Sequence, residues 1–145
     1  MKSAKKLFLE VITQEKQVLK DEVDIVLAPA HEGQIGILHG HIGLLTKLQP
    51  GELYIIKGPS MTILAITGGL LDVHDNKVTV MADDATRADD IDIRKVEQAR
   101  QRAEDALKQK LSEKDFTIAQ ADLRKAVLEL KVAKKRRHYR TPRQQ

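Results

Sequence analysis

The feature that most limits the fold is a change in the spacing of apolar residues along the chain. Up to residue 82 they come in short runs with alternating polar positions, as in residues 7–13 and 52–57, and this pattern is typical of β-strands. After residue 92 they recur every three or four positions, which is typical of amphipathic helices. The sequence therefore predicts a sheet domain over residues 1–86 and a helical domain over residues 87–145.

The sheet domain is organised around residues 32–47, whose apolar residues are interrupted by Gly33, Gly36, Gly40 and Gly43. Glycine adopts positive φ angles at low cost, so this spacing predicts short strands joined by tight corners, as does the turn pair that follows at residues 50–51. Further strands are predicted in residues 18–27, which hold two of them, and in residues 61–67, 69–74 and 77–82. Short strands with this spacing indicate a sandwich or barrel of antiparallel strands.

The helical domain opens with carboxylates that can accept bonds from the free N–H groups of a helix start, namely Asp89, Asp90 and Asp92. One face of the first helix carries Val96, Ala99, Ala103 and Ala106. After a polar break at residues 112–115, one face of a second helix carries Phe116, Ala119, Leu123, Ala126, Leu130 and Ala133. Alanine allows close approach, so an antiparallel hairpin is expected. Its apolar stripe is narrow, which predicts marginal stability by itself.

Composition excludes several kinds of site. Aromatic residues make up 3% of the chain and there is no tryptophan, so a stacking platform for single-stranded nucleic acid is not expected. The chain has no cysteine, which rules out disulfides and thiolate metal sites. The basic residues 1–6 precede an apolar run that Glu10 and Gln14 interrupt, so neither a signal peptide nor a membrane span is predicted.

The two domains differ in charge. Residues 1–86 contain 8 Lys and Arg against 11 Asp and Glu, a net −3, whereas residues 87–145 contain 17 against 10, a net +7. The basic residues include a run at 134–140 where the second helix ends. Three interpretations remain open for this run: a solvated helix terminus, contact with an acidic protein surface, or contact with nucleic acid.

A search for catalytic and metal-binding patterns yields little. The glycines of residues 33–43 form neither a P-loop nor a dinucleotide fingerprint. His31, His39 and His41 lie close in sequence, but without cysteine or an HExxH helix they are interpreted as ordinary loop histidines and no metal site is predicted. No nucleophile and base pair is indicated by local context. The residues alone therefore predict a two-part binding protein and not an enzyme.

Several ordered segments resemble one family, the epsilon subunits of F-type ATP synthases. The segments are residues 9–12, 32–41, 44–46, 50–51, 68–73, 76–83 and 88–92, with a helical hairpin after them. Each segment is modest alone, but their order is specific. The resemblance implies an α+β fold, with an N-terminal antiparallel β-sandwich followed by a C-terminal antiparallel α-helical hairpin.

The resemblance implies a non-catalytic rotor subunit of the central stalk. In that family the sandwich binds the gamma subunit and faces the c-ring, so the c-ring residues expected here are Glu32, Gly33, Gln34 and His41. Gln34 replaces a frequent Glu and His39 a frequent Pro, while residues 42–43 replace a frequent Ala-Pro pair. The implied location is peripheral to the membrane, on the cytoplasmic face of the bacterial inner membrane.

The family's hairpin lies folded on the sandwich or extends toward the catalytic beta subunits, where it hinders ATP hydrolysis. The residues expected to contact an acidic segment of beta are Arg124, Lys125, Lys131, Lys134, Lys135 and Arg136. Some members bind a regulatory ATP in the folded hairpin, and Ile91, Asp92 and Arg102 match that pattern. Glu129 stands where an arginine is expected and would repel phosphate, so no tightly bound cofactor is predicted. The alternative function is a basic nucleic-acid-binding module.

Overall fold

The chain divides into two compact units, Met1–Arg87 and Ala88–Gln145. A computed structural model describes residues 5–140, with side chains described for residues 5–136. The unit boundary falls one residue after the domain boundary predicted from sequence. Residues 1–4 and 141–145, and the side chains of the tail residues Arg137, His138, Tyr139 and Arg140, lie outside the described part.

The first unit consists of strands, as the alternating pattern predicts. They are β1 (Leu7–Ile12), β2 (Gln17–Val23), β3 (Ile25–Ala30), β4 (Gly33–Ile37), β5 (Leu44–Leu48), β6 (Gly51–Lys57), β7 (Ser60–Ile66), β8 (Gly69–His74), β9 (Lys77–Ala82) and β10 (Ala85–Arg87). The short strand β10 was not predicted, because three residues are too few to show a period. The two strands predicted within residues 18–27 are β2 and β3, and β3 continues through Pro29.

The ten described strands form one continuous hydrogen-bonded network that folds into the two sheets of a sandwich, joined at a single residue pair. One sheet has the order β5-β8-β9-β1-β2, and the other has the order β10-β7-β6-β3 with β4 paired to β3. The sheets are joined where Ala30 of β3 pairs with Leu48 of β5. The predicted antiparallel sandwich is confirmed with one exception, since β1 pairs with β9 in parallel. These two strands lie far apart in the sequence, so no turn signal indicated their direction.

The core lies between the two sheets and follows the period of two. In β1 the predicted inward residues Leu7, Leu9 and Val11 are at most 1% exposed, and β8 and β9 alternate in the same way. The opposing sheet supplies Val26, Leu53, Leu64 and Ile66 to the same cluster. Long aliphatic side chains from both sheets thus fill the interior, which is the main stabilising contribution in a fold of this kind.

The ends of the sheet path are also tied together. The guanidinium of Arg87 on β10 donates a hydrogen bond to the carbonyl oxygen of Val18 on β2, with an Nη2 to O distance of 2.8 Å. β10 and β2 are the first and last strands of the path. The arrangement therefore approaches a flattened barrel. Of the four glycines singled out in sequence, Gly33 and Gly40 have φ of 124° and 84°, whereas Gly36 and Gly43 do not have positive φ.

The second unit is a short 3-10 turn followed by two helices. The turn, η1, spans Ala88–Asp90, α1 spans Ile93–Leu107 and α2 spans Glu113–Arg140. Of the three aspartates predicted to cap the first helix, Asp92 does so: its Oδ1 accepts from the backbone N–H groups of Arg94 and Lys95 at 3.1 and 3.3 Å. Asp89 and Asp90 lie in η1 instead.

The hairpin is held mainly by small side chains, as predicted. Ala103 of α1 is buried, and so are Ala119, Ala126, Leu130, Val132 and Ala133 of α2. The inclusion of Phe116 in this face was wrong, since that ring is 45% exposed. A three-residue step turns a helix by about 300°, so Phe116 lies about 60° away from the line of Ala119 and Ala126.

Candidate functional site

The β3–β4 turn carries three of the residues predicted to face the c-ring. Glu32, Gly33 and Gln34 lie at the tip of this hairpin and are all exposed. The turn is held from one side by Gln49, whose Nε2 lies 2.9 Å from His31 Nδ1 and 3.3 Å from the His31 carbonyl oxygen. The backbone adds bonds from His31 N to Lys47 O and from Gln49 N to Pro29 O. The tip is therefore a braced and exposed surface.

A groove lies beside this tip. It has a volume of about 660 Å³ and an apolar wall formed by Ile35, Leu44 and Leu45. His31, Glu32 and Lys47 supply polar and charged groups to the same groove. An apolar wall next to charged groups suits the edge of a protein interface more than a site for small-molecule chemistry.

His41 lies elsewhere, so the predicted c-ring set is divided. β4 runs from the Glu32 turn to the loop that contains His41, a distance of roughly 13 Å for four steps of about 3.3 Å. There His41 shares a cavity of about 310 Å³ with the β8–β9 turn, including His74 and Asn76. The N–H of Gly40 donates to Asn76 Oδ1 at 2.6 Å, and His41 Nδ1 donates to the Ile42 carbonyl at 2.8 Å.

Two carboxylates at the end of the sandwich near the β6–β7 turn are neutralised by lysines. A hydrogen bond from Lys57 lowers the pKa of Asp21, with both carboxylate oxygens within 3.0 Å of Lys57 Nζ. A hydrogen bond from Lys6 lowers the pKa of Asp24, aided by the N–H of Gly58 at 2.6 Å. These groups brace the strand ends and do not resemble a catalytic pair. Nor do three His, Asp or Glu side chains converge as metal ligands among the residues that are described.

The six basic residues predicted to contact beta do not share one face of α2. Arg124, Lys131 and Lys134 are exposed and lie within about a quarter turn of one another at 100° per residue. Phe116 and Val127, which are 45% and 50% exposed, lie on the same side. Lys135 borders this face and is half-buried. The exposed face of α2 thus combines cations with apolar side chains.

Two further predicted residues, Lys125 and Arg136, form ion pairs within the helical unit. Lys125 Nζ lies 3.9 Å from Glu129 Oε1, and the Glu129 side chain is only 12% exposed. Arg136 forms an ion pair with Asp89 of η1, and their side chains are 28% and 59% exposed. The sequence offered no signal for this second pair, because the partners are separated by the whole hairpin.

A cleft between α1 and α2 contains part of the predicted nucleotide site. Its volume is about 620 Å³, and its floor is formed largely by alanines of both helices. Arg102 lines it, whereas Ile91 and Asp92 do not. The charged groups that line the cleft are Lys95, Arg102, Lys125, Asp122 and Glu129. Three cations therefore face two carboxylates, and the remaining positive charge is small.

Two family models match the chain, one for each unit. The model of the beta-sandwich domain of the ATP synthase delta/epsilon chain matches residues 6–88. The model of the long alpha-helix domain of that chain matches residues 89–134. The ATP synthase epsilon chain of Herpetosiphon aurantiacus is 48% identical over 130 residues, which are 90% of this chain and 96% of the relative. That of Syntrophobacter fumaroxidans is 45% identical over 132 residues, which are 91% and 98% of the two chains.

The chain belongs to the ATP synthase epsilon family. It is thus a subunit of an ATP synthase, a complex whose activities are ATP synthesis and hydrogen ion transport. Its resemblance to the family, inferred from the ordered segments of the sequence, is confirmed.

Solved structures agree with the epsilon-family fold. A chain in the structure of the Euglena gracilis mitochondrial ATP synthase, OSCP/F1/c-ring in rotational state 1, has a TM-score of 0.69 and 24% identity, with 82% of this chain and 76% of that chain covered. A chain of the Tetrahymena thermophila mitochondrial ATP synthase central stalk and c-ring has a TM-score of 0.59 and 22% identity, with 90% and 99% covered. In the described part of this epsilon-family chain, no helix is long and apolar enough to cross a membrane.

Proposed function

We propose that this epsilon-family chain is a non-catalytic rotor subunit of the central stalk, which couples gamma to the c-ring and inhibits ATP hydrolysis through its C-terminal helices. The proposal places it at the cytoplasmic face of a bacterial inner membrane, peripheral to the lipid. The observation that carries it is the exposed face of α2, where Arg124, Lys131 and Lys134 accompany Phe116 and Val127. An acidic helix with apolar side chains would match this face in both charge and hydrophobicity.

The c-ring contact is assigned to the β3–β4 turn. Glu32 and Gln34 are exposed at its tip, and Gln49 holds the turn from behind. Both side chains can accept hydrogen bonds from polar loops of a ring, and the adjacent groove offers an apolar wall. His41, at the far end of β4, is left out of this contact and is assigned to the gamma side of the sandwich.

The gamma contact is assigned to the outer face of the sheet that contains β8, β9 and β1. Leu70 pairs with Met81, and Met81 pairs with Ile12, so three apolar side chains form a row across this face. Leu70 and Met81 are 44% and 36% exposed. Replacing both by glutamate should weaken capture of this chain by immobilised gamma. Ile118→Glu with Val127→Glu, two exposed apolar residues of α2 in the helical unit, is the matched control.

The inhibitory step would be a population shift of the hairpin. In the closed form the helices pack through alanines, whose burial contributes less free energy than that of larger aliphatic side chains. An acidic partner that binds α2 in an extended form can then shift the equilibrium, which requires a difference of a few kcal/mol.

We further propose that this arm works without a tightly bound nucleotide. Arg102 and Lys95 face the cleft, but Glu129 and Asp122 oppose the charge of a triphosphate, and Glu129 is also paired with Lys125. Calorimetric titration of the full chain with MgATP should detect weak binding only. Glu129→Gln should tighten it, and Glu113→Gln, outside the lining of the cleft, should not.

The decisive experiment is ATP hydrolysis by the reconstituted catalytic complex with the full chain and with a chain ending at Arg87. The shortened chain retains the whole sandwich core and the bond from Arg87 to Val18. We expect hydrolysis to rise on truncation while proton coupling survives. Equal hydrolysis with both chains would contradict the inhibitory role and leave the coupling role standing.

A charge variant tests the exposed face of α2 in the full chain. Replacing Arg124, Lys131 and Lys134 together by glutamine should relieve inhibition nearly as much as truncation does. The matched control replaces Arg94, Lys108 and Lys110, three exposed cations outside α2, and removes the same charge. Equal relief by both variants would show that only net charge matters, and would contradict a specific contact through α2.

A further inference from the structure

The last part of α2 extends past the start of α1. α2 has 28 residues and α1 has 15, and in an antiparallel hairpin the end of the second helix lies beside the start of the first. From about residue 130 onward, η1 replaces α1 as the neighbour of α2 within this unit, and η1 and α2 are in contact. Ala88 of η1 is buried, and Asp89 is directed toward Arg136.

Only Ile91 and Asp92 separate η1 from the start of α1. The Asp92 side chain caps α1, and the backbone N–H of Ile91 bonds to the Ala88 carbonyl. The ion pair between Asp89 and Arg136 therefore joins the entry of the hairpin to its far end. It can exist only while the two ends are side by side, so any extension of α2 must break it.

We infer that Asp89 is an internal competitor for Arg136, a latch that holds the hairpin closed and that an acidic partner must displace. The contact itself is tested in the isolated chain. Only its predicted effect on ATP hydrolysis by the complex rests on the proposed function. While the latch is closed, Arg136 is occupied, whereas the side chains of Arg124 and Lys134 remain exposed on α2. The partner would thus meet the exposed face first and gain Arg136 only after the hairpin opens.

The expected effect is modest because both side chains are partly in water. Exposed ion pairs typically change an equilibrium by about two- to fivefold. Asp89→Asn should therefore raise the open fraction of the hairpin by about that factor. Asp90→Asn is the matched control, since it removes the same charge from the same turn at the same helix start.

The test measures backbone hydrogen exchange in the isolated full chain. Amides of residues 130–136 should exchange about two to five times faster in Asp89→Asn than in Asp90→Asn. The exchanged pair Asp89→Arg with Arg136→Asp should restore protection relative to either single reversal. Equal exchange in the two asparagine variants, or no restoration in the double variant, would overturn the latch.

Hydrolysis by the complex then tests the consequence separately. Asp89→Asn should inhibit more strongly than Asp90→Asn, because the arm opens more readily. If the complex with the chain ending at Arg87 hydrolyses ATP no faster than the complex with the full chain, the proposed inhibitory function fails, and the exchange result still decides whether the latch exists. If exchange differs but inhibition does not, the latch stands as a structural contact and its regulatory role is overturned.

Discussion

The two units of this chain are stabilised by side chains of different size. The sandwich encloses leucine, isoleucine and valine, many of them fully buried, whereas four of the buried hairpin residues named above are alanines. Because the hydrophobic contribution scales with the apolar area removed from water, each buried Leu, Ile or Val of the sandwich contributes more than a buried alanine of the hairpin. The difference indicates that the hairpin can open at a free-energy cost at which the sandwich stays folded.

The largest expected effect lies in the sandwich core. Leu71→Ala should lower the free energy of unfolding by about 2–5 kcal/mol, because the side chain is fully buried and leaves a cavity. Urea unfolding followed by circular dichroism measures it. Leu70→Ala, at the neighbouring residue that is 44% exposed, is the control and should cost well under half as much. Similar losses for both would contradict a core defined by alternation.

In the hairpin, the informative residue is Leu130, the largest of the buried side chains described in the two helices. Leu130→Ala should cost about 2–3 kcal/mol, near the lower end of values for buried leucines. Because most of the buried hairpin residues are alanines, this loss should be a large part of the free energy that keeps the hairpin closed. The amides of α2 should therefore lose most of their exchange protection. Val127→Ala, at a residue 50% exposed on the same helix, should leave protection nearly unchanged. Full protection in Leu130→Ala would mean that the hairpin is much more stable than its side chains suggest.

A smaller effect is expected at the start of α1. Asp92→Ala should destabilise the first turn by about 1 kcal/mol, because two backbone N–H groups lose their acceptor. Exchange of the amides of Arg94 and Lys95 reports it. Asp90→Ala removes a carboxylate that does not cap the helix and should change these amides less. The idea of a single cap fails if both variants behave alike.

The smallest effect concerns the lysine-bound carboxylates of the sandwich. The pKa of Asp24 is lowered in the folded state by its bond from Lys6, so its ionised form stabilises the fold at neutral pH. That contribution is present above the unfolded pKa of about 3.9 and is lost as the pH falls through the lower folded value. The Tm of Asp24→Asn should thus lie below that of the unmodified chain at pH 7 and approach it near pH 2. Glu15→Gln, in an exposed turn, is the control, and a gap that persists in acid would contradict the assignment.

Much of the sandwich follows from local sequence. Leu7, Leu9 and Val11 alternate because one face of β1 is buried, and that alternation is visible without the structure. The parallel pairing of β1 with β9 is not, because it depends on contacts between residues some seventy positions apart. The class of fold could therefore be predicted, but the order and direction of the strands could not.

The candidate surfaces show the same limit. Glu32, Gly33 and Gln34 are consecutive, so their shared position at a turn could be predicted from sequence. His41 is only a few residues further on, yet one strand carries it to the other end of the sheet. The six basic residues of α2 could be found by composition, but their division between two faces depends on helical phase and on Asp89, far away in the chain.

The hydrogen bond from Arg87 to Val18 has a consequence for the protein before it joins any complex. Edge strands present rows of unpaired N–H and C=O groups to which a second polypeptide can add, and this is a common route to aggregation. Here the first and last strands of the path are drawn toward each other, and a carbonyl of β2 is already occupied by a charged side chain. A newly synthesised chain therefore exposes fewer unpaired edge groups to other copies before it assembles into the complex.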